Sequence, residues 1–197
     1  MGNQSKVEIS NDIVLDGKIL FLKSVEFADS KELAERANDF DVANMMGPEF
    51  PHPYGEKDAD SYKLFIKSNW SKGVEYSFSI FKKTGNGAEL AGGIGIEVNK
   101  QAQKVKNLGY WLAKDYRGQC LMQEAVDLVL DFSFNKLNLR KVEAHAYSVN
   151  PASIRVLESA GFVKEGIERE ASLDRNGVVM DDHIFGLLKR EYVPKNT

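Results

Sequence analysis

The sequence predicts a mixed α/β (α+β) fold in which a central sheet of about seven strands is flanked by helices. The chain has 197 residues, of which 43% are hydrophobic, and a chain of this length suits one domain that buries about 70% of its unfolded surface. A strand–helix–strand–helix order between residues 108 and 160 implies two parallel central strands. Hairpin patterns before and after that segment predict antiparallel strands on both sides of them.

The first part of the chain is predicted to form a hairpin and one helix. Residues 1–12 are polar and are expected to be flexible. Asp16-Gly17 separates two short apolar runs, which is a strong hairpin signal. Asp29 to Glu32 resembles a capping box, so we expect a helix that starts there and ends before Gly47. Its apolar face would consist of Leu33, Ala34, Ala37, Phe40 and Val42.

A stiff loop and a second helix come next. Two prolines within residues 50–55 exclude a regular helix there, because each favours an extended conformation in the residue before it. The helix that follows should expose Lys63 and Lys67 to water. Its apolar face would be formed by Tyr62, Phe65, Ile66 and Trp70.

The middle of the chain is predicted to form an antiparallel hairpin. Residues 76–81 alternate apolar with polar side chains, residues 85–87 turn, and residues 89–98 return as a strand. The glycines at positions 92, 93 and 95 interrupt a strand and do not open a helix. We therefore expect a bulge or close backbone packing there and not a nucleotide-binding loop.

The second half supplies the parallel strands and a closing hairpin. A helix that starts near Leu121 should bury one apolar face, and residues 141–147 form the next strand. Residues 162–171 and 178–188 predict two final strands joined around Gly177. The last strand could pair within the chain or across a dimer, so the sequence is compatible with a monomer or a homodimer.

Composition excludes several classes of protein. The net charge of -3 provides no basic field, which argues against direct binding of nucleic acid. One cysteine excludes an internal disulfide and a cysteine-cluster metal site, and the three histidines lack ligand spacing, so no metal is expected. No apolar run is long enough for a membrane span, and residues 1–6 lack the apolar region of a secretory signal, so neither is expected. We expect a cytoplasmic protein that does not bind membranes.

The stretch from Leu108 to Met122 predicts a strand, a tight loop and a helix start. The first amides of a helix have no intrahelical partner, and the helix dipole adds partial positive charge, so this junction can hold an anion by backbone alone. The predicted ligand is a phosphate. The loop lacks the patterns of the ATPase phosphate loop and of the dinucleotide-binding loop.

A second stretch, Asn150 to Phe162, reads as a short helix with Asn150 as N-cap, Pro151 at the first helical position and Gly161 as the stop. These residues resemble the Asn-x-x-Ser-x-Arg-x-Leu-Glu-x-x-Gly-Phe pattern of the RimJ/RimL-like branch of the GNAT superfamily of N-acetyltransferases. The loop after Leu108 is similar to the acetyl-CoA pyrophosphate loop of that family, with Cys120 at a position where Gly is usual. The resemblance covers nearly the whole chain.

The resemblance implies a GNAT-like domain over residues 1–197 in which the two parallel strands splay and acetyl-CoA, as cosubstrate, inserts between them. Backbone would do most of the binding, so Cys120 need not abolish it, because glycine is special only for positive φ or close approach. Cys120 could be a reactive thiol or merely a small residue in place of Gly. The implied cofactor-binding residues are Leu112, Ala113, Arg117, Gly118, Gln119, Cys120, Leu121, Met122, Asn150, Ser153 and Arg155.

The resemblance also implies catalytic residues. A neutral amine would attack the thioester carbonyl and expel the CoA thiolate through an oxyanion. Many members of the family protonate the thiolate with a tyrosine at the position of Leu157, and Ser153 is the substitute that the branch suggests. Asn150 would bind the cofactor or orient the acceptor. The candidates for general base are Glu97, Glu170 and Asp181. The implied substrate-binding residues are Pro51, Tyr54 and Tyr110.

The free energy needed to deprotonate the acceptor amine favours one kind of acceptor over another. At pH 7 this costs roughly 1 kcal/mol for an α-amine of pKa about 7.8 and about 4.6 kcal/mol for a lysine-like amine. The leading hypothesis is acetylation of the N-terminal α-amine of a protein or peptide. The alternatives are a small-molecule amine (a polyamine, amino acid or antibiotic) and a non-catalytic CoA-binding protein.

Overall fold

The computed structural model describes residues 9–195 and contains one eight-stranded mixed sheet, one strand more than the approximate number expected. Its strand order is β1-β2-β3-β4-β5-β6-β8-β7. The strands are β1 Val14–Asp16, β2 Leu20–Ser24, β3 Glu75–Thr84, β4 Gly87–Asn99, β5 Lys104–Leu112, β6 Lys141–Tyr147, β7 Val163–Leu173 and β8 Val179–Leu188. The helices are α1 Ser30–Ala37, α2 Phe40–Met45, α3 Glu56–Lys72, α4 Leu121–Asp131 and α5 Pro151–Ser159.

The two parallel strands, β5 and β6, diverge as the fold class requires. They pair only at Lys104 with Lys141 and at Val105 with Val142. Beyond these pairs, β5 continues to Leu112 beside β4, and β6 continues to Tyr147 beside β8. A gap therefore opens toward the carboxyl ends of both strands, and the facing backbone edges lie outside the sheet pairing. The expected splay is confirmed.

The closing hairpin pairs within the chain. β8 lies between β6 and β7 and is antiparallel to both. Phe185 and Leu187 of β8 are fully buried, whereas most side chains of β7 are exposed. The last strand, β8, is therefore an interior strand, and β7 is the edge strand of the sheet.

Helices cover both faces of the sheet. Tyr62 of α3 hydrogen-bonds Ser77, and Phe132, directly after α4, packs edge-to-face on Phe78. Because consecutive strand residues point to opposite faces, Tyr62 of α3 covers one side of β3 and α4 covers the other, where Trp70 near the end of α3 also packs on Phe78. Among residues 9–195, no helix is both long enough and apolar enough to cross a membrane.

The helix predicted before Gly47 is in fact two helices, and this prediction was wrong. Asp29 caps α1 as expected, but Asp39 caps a new helix by accepting a hydrogen bond from the Val42 amide at 3.1 Å. The break at Asn38-Asp39 turns Phe40 outward, where it is 43% exposed. A second good capping residue inside an apolar pattern is enough to end one helix and start another.

The apolar face predicted for α3 is correct in part. Ile66 and Trp70 are buried, but Phe65 is 54% exposed. Lys63 does not simply face water, since its Nζ donates to the Ala28 carbonyl oxygen at 2.6 Å. The buried stripe of α3 consists of Ala59, Ile66 and Trp70. It is narrower than the apolar face that the sequence pattern predicts.

The N-terminal segment expected to be flexible falls mainly outside the described residues, which begin at residue 9. The part that is described makes specific contacts. The Ile9 carbonyl oxygen accepts a hydrogen bond from Trp70 Nε1 at 3.0 Å, and Asn11 donates to Glu26 at 2.7 Å.

Candidate active site

A cavity of about 500 Å³ lies between the sheet and the helices α1 and α3. The loop before α3 contributes Pro51 and Tyr54 to its wall, two of the three residues that were expected to contact substrate; the third, Tyr110, is not among the lining residues. The sheet side includes five small residues. They are Ser77 and Ser79 of β3, Gly93 and Gly95 of β4, and Gly109 of β5.

Two glycines of β4, at positions 92 and 93, lie too close to β5 to carry a side chain without a collision, and Gly93 lines the cavity. A Cβ on Gly93 would lie 2.7 Å from Trp111 Nε1, and a Cβ on Gly92 would lie 2.2 Å from the Trp111 carbonyl oxygen. The register of β3 and β4 also shifts here, since Ile80 pairs with Gly92 and Phe81 with Leu90. The expected bulge and close backbone packing are both confirmed.

Four carboxylates line the cavity, and none of its described lining residues is Lys, Arg or His. A concave surface with charge of one sign attracts ligands of the opposite sign. The cavity is therefore suited to a cation such as an ammonium group. The carboxylates belong to Glu49, Asp58, Glu75 and Glu97.

Glu75 and Glu97 are direct partners across the β3–β4 pairing. Asn69 Nδ2 of α3 donates to Glu75 Oε2 at 2.8 Å, and Lys106 Nζ lies 2.5 Å from Glu97 Oε2. Burial raises the pKa of the Glu75 carboxyl above its ordinary value, against the hydrogen bond from Asn69, and the negative charge of Glu97 adds to the rise. The two carboxylates thus have different environments.

Hydroxyl groups lie on the same wall. Tyr62 OH and Ser77 Oγ are 2.8 Å apart, and burial raises the pKa of Tyr62 to about 12, so its phenol stays protonated at neutral pH. Ser79 Oγ is buried and has no hydrogen-bond partner among residues 9–195. A buried hydroxyl without a partner is uncommon in folded proteins, and a bound ligand can supply the missing contact.

The junction predicted to bind an anion leads into α4 through two residues with left-handed backbone. Gly118 and Cys120 both adopt positive φ, +74° and +59°, and α4 starts at Leu121 with no side-chain hydrogen bond capping it. The side chains of Leu121 and Met122 are buried. These two residues could therefore contact a phosphate only through their backbone.

Arg117 and Gln119 are engaged within the protein. The Arg117 guanidinium lies 3.2 Å from carboxylate oxygens of both Asp39 and Asp41. Gln119 accepts a hydrogen bond from Lys82 and donates one to the Asp115 carbonyl oxygen. Arg117 thus joins the loop before α4 to the start of α2.

The third predicted group lies at the start of α5. Asn150 Oδ1 accepts a hydrogen bond from the Ser153 amide at 3.1 Å, which confirms it as the N-cap. Ser153 Oγ lies 2.9 Å from Tyr110 OH, and burial raises the pKa of Tyr110 to about 12. Leu157 is fully buried in the core.

The structure thus separates the predicted catalytic and substrate-binding residues into two groups. Glu97, Pro51 and Tyr54 line the cavity, whereas the Tyr110 hydroxyl faces Ser153 on the side of α5. Leu112 and Ala113 lie at the carboxyl end of β5, and Arg155 is exposed on α5.

The other two carboxylates proposed as bases lie elsewhere. Glu170 and Asp181 are on β7 and β8, where the Glu170 amide donates to Asp181 Oδ1 at 2.8 Å. Neither residue lines the cavity.

Sequence reasoning missed Glu75 and Asn69. A signal for Glu75 existed, because counting outward from the turn of the β3–β4 hairpin brings residue 75 close to residue 97, within the shift of the bulge. Nothing comparable pointed to Asn69, whose position depends on how α3 packs.

A further residue that sequence reasoning missed is Arg175, in the turn between β7 and β8. Its Nε donates to the Ala43 carbonyl oxygen at 3.0 Å. Its Nη2 donates to the carbonyl oxygens of Gly47 and Phe50. Because Phe50 lines the cavity, Arg175 connects the closing hairpin to the cavity wall.

Comparisons with known proteins identify the class of enzyme. A family model described as an acetyltransferase (GNAT) domain matches residues 20–163. Probable N-acetyltransferase YjcK of Bacillus subtilis (strain 168) is 31% identical over 181 residues, which cover 89% of this chain and 97% of that protein.

Solved structures share the fold. The ribosomal-protein-S5-alanine acetyltransferase from Vibrio fischeri superposes with a TM-score of 0.80 at 21% identity, covering 93% of this chain and all of that one. The spermidine N-acetyltransferase from Vibrio cholerae, in complex with CoA and spermine, superposes with a TM-score of 0.74 at 23% identity, covering 88% and 97%.

The splayed strands, the uncapped helix start and the matching family model define an acyltransferase that uses acetyl-CoA. The chain belongs to the GNAT family of acetyltransferases. It is an acetyl-CoA-dependent N-acetyltransferase, and its homologues are consistent with the RimJ/RimL-like branch.

Proposed function

We propose that the acid-lined cavity is the acceptor site and that the acceptor is the N-terminal α-amine of a protein or peptide. The observation that carries the proposal is the cavity itself, about 500 Å³ in volume, with four carboxylates and no basic side chain among its described lining residues. An α-ammonium group is attracted to such a wall. It also needs less free energy to become a nucleophile than a lysine-like amine does, roughly 1 against about 4.6 kcal/mol at pH 7.

The cosubstrate would lie in the gap between β5 and β6. Backbone edges beyond Val105 and Val142 could hydrogen-bond an extended chain, and the amides at Gly118, Cys120 and Met122 could hold a pyrophosphate. The residues fit this role. Gly118 and Cys120 have positive φ, and no side chain of the described residues caps the start of α4, so its first amides are available to an anion. Acetyl-CoA supplies the acyl group as an activated thioester.

Ser153 would return a proton to the leaving thiolate. Its Oγ hydrogen-bonds the Tyr110 phenol at 2.9 Å, and the high pKa of that phenol keeps it protonated. A protonated phenol can replace the proton that Ser153 gives up. The pair lies beside the carboxyl half of β5, where the reacting thioester would lie.

A second candidate acceptor is a polyamine, favoured by the number of carboxylates. Glu49 and Asp58 lie at the loop and the start of α3, and Glu75 and Glu97 lie farther along the sheet, so two cationic groups of one molecule could be bound at once. The similar structures named above include one ribosomal-protein acetyltransferase and one spermidine acetyltransferase.

The test is acetyl-CoA-dependent thiol release with a panel of acceptors. The panel contains peptides with different N-terminal residues, the same peptides with blocked N-termini and free lysines, polyamines and amino acids. Release with free N-termini that vanishes on blocking supports the proposal. Release with polyamines alone establishes the second candidate, and release only with blocked, lysine-containing peptides contradicts both.

A further inference from the structure

Two carboxylates lie side by side at one end of the cavity, and only one of them is neutralised by a cation. Glu97 forms an ion pair with Lys106 at 2.5 Å. Glu75, its partner across the strand pair, accepts a hydrogen bond from the neutral amide of Asn69 at 2.8 Å. The difference in partners indicates a difference in role.

We propose that Glu75 accepts the proton of the acceptor ammonium group, directly or through one water molecule, and that Glu97 positions and tunes it. The inference rests on the proposed function, because it requires the amine to bind in this cavity. It assigns the base to a residue on β3, whereas the resemblance to the family directed attention to Glu97 on β4.

The geometry favours Glu75 over Glu97 in two ways. Asn69 contacts only Oε2 of Glu75, and Oε1 accepts no hydrogen bond from the described residues, so one oxygen remains available to an amine or a water. The Glu97 carboxylate is bound by an ammonium group that competes with any substrate cation. A base whose negative charge is already paired is a weaker proton acceptor.

The charged and titratable groups facing Glu75 come from three elements. Glu97 of β4 opposes its ionisation, Lys106 of β5 favours it, and the Tyr62 phenol of α3 lies nearby and stays protonated. Burial dominates these effects and raises the pKa of Glu75. A carboxylate with a raised pKa is better matched to proton transfer near neutral pH.

The reaction step balances as follows. The ammonium N–H proton moves to a Glu75 carboxylate oxygen, and the nitrogen lone pair forms a bond to the thioester carbonyl carbon. The carbon–sulfur bond then breaks with its electron pair on sulfur. The nitrogen, which still carries two hydrogens after the first transfer, loses a second proton to solvent, so that the neutral amide forms. The thiolate takes a proton from Ser153, and the Ser153–Tyr110 pair regains that proton from solvent. Glu75 releases its own proton to solvent before the next turnover, so each turnover releases one proton overall.

The test compares pH profiles of kcat/KM for a peptide acceptor in wild type, Glu75→Gln and Glu97→Gln. Without its base, Glu75→Gln can use only amine that is already neutral. For an amine of pKa about 7.8 the neutral fraction near pH 6 is about 60-fold smaller than near pH 9. The defect of Glu75→Gln should therefore be large near pH 6 and small near pH 9.

The matched control is Glu97→Gln, which should keep the shape of the wild-type profile. Its acid limb should move to lower pH, because the variant removes a negative neighbour and leaves Lys106 facing Glu75. The opposite result overturns the proposal. If kcat/KM of Glu97→Gln rises with pH in step with deprotonation of the free amine, while the pH profile of Glu75→Gln keeps the wild-type shape, then Glu97 is the base.

A third variant keeps both carboxylates. Asn69→Leu removes the hydrogen bond that favours the charged form of Glu75, so its acid limb should move to higher pH, opposite to Glu97→Gln. An acid limb that does not move in Asn69→Leu contradicts the proposal even if Glu75→Gln fails to fold. Thermal unfolding and CoA binding check the fold of each variant, and a wild-type protein that acetylates no amine would refute the proposed function separately.

Discussion

Replacing Cys120 by glycine is expected to stabilise this protein and to leave CoA binding intact. Cys120 precedes α4 with φ +59° and ψ 8°, a left-handed conformation that favours glycine. Its side chain is exposed and makes no capping hydrogen bond. The substitution thus removes strain without removing a structural contact.

The magnitude follows from two opposing contributions. The left-handed conformation costs an L-residue roughly 1–2 kcal/mol, and the greater freedom of glycine in the unfolded chain offsets about 0.4–1 kcal/mol of that. The net gain in unfolding free energy is about 0.5–1 kcal/mol. For a chain of this size each kcal/mol moves Tm by about 2–4 °C, so Tm should rise by about 1–4 °C.

The assay is thermal unfolding of wild type, Cys120→Gly and Cys120→Ala. Both variants lose the thiol, but only glycine relieves the positive φ, so Cys120→Gly should melt above Cys120→Ala. All three proteins keep the amide N–H at position 120 and should bind CoA with similar affinity. The reasoning is refuted if the alanine variant is as stable as the glycine variant, or if the glycine variant binds CoA much more weakly.

Other substitutions test the walls of the site. Gly93→Ala should lower the unfolding free energy by about 1–3 kcal/mol, because its Cβ would lie 2.7 Å from Trp111 Nε1. The control, Gly109→Ala, meets no atom within 4 Å and should unfold near the wild-type temperature. Arg175→Ala removes the hydrogen bonds that hold the loop at residues 47–50. It should therefore raise KM for the acceptor and leave KM for acetyl-CoA unchanged. Equal changes in both constants would contradict this. Ser153→Ala should lower kcat by about 100-fold, the lower end of the usual contribution of a positioned proton donor. Tyr110→Phe, which keeps the serine hydroxyl, should lower kcat less, and steady-state kinetics that reverse this order would exclude Ser153 as the donor.

Local signals in the sequence predict the elements that hold the cofactor end of the site. Asn150, Pro151 and Gly161 bound α5 as expected, because capping and positive φ depend on a few neighbouring residues. Gly92 and Gly93 predict close backbone approach for a similar reason. At these positions the local residues restrict the backbone conformation, so the prediction does not depend on distant parts of the chain.

Periodicity was a weaker guide where two signals competed. The apolar pattern from Leu33 to Val42 predicts one helix, but Asp39 supplies a second N-cap and splits it. Phe65 satisfies the helical period of α3 and is nevertheless exposed, because packing against α1 and β3 uses a narrower stripe. The apolar period of a helix shows which side chains lie on the same face. The elements packed against the helix decide how much of that face is buried.

The tertiary structure decided the partners of most charged side chains in the site. Arg117, which the sequence assigned to the cofactor, pairs with Asp39 and Asp41, more than 70 residues earlier in the chain. Glu75 becomes a neighbour of Glu97 through a register that a bulge shifts, and of Asn69 through the packing of α3. Capping, turns and backbone sterics act over a few residues and can be read from the sequence, whereas partners of charged side chains depend on register and packing between distant segments.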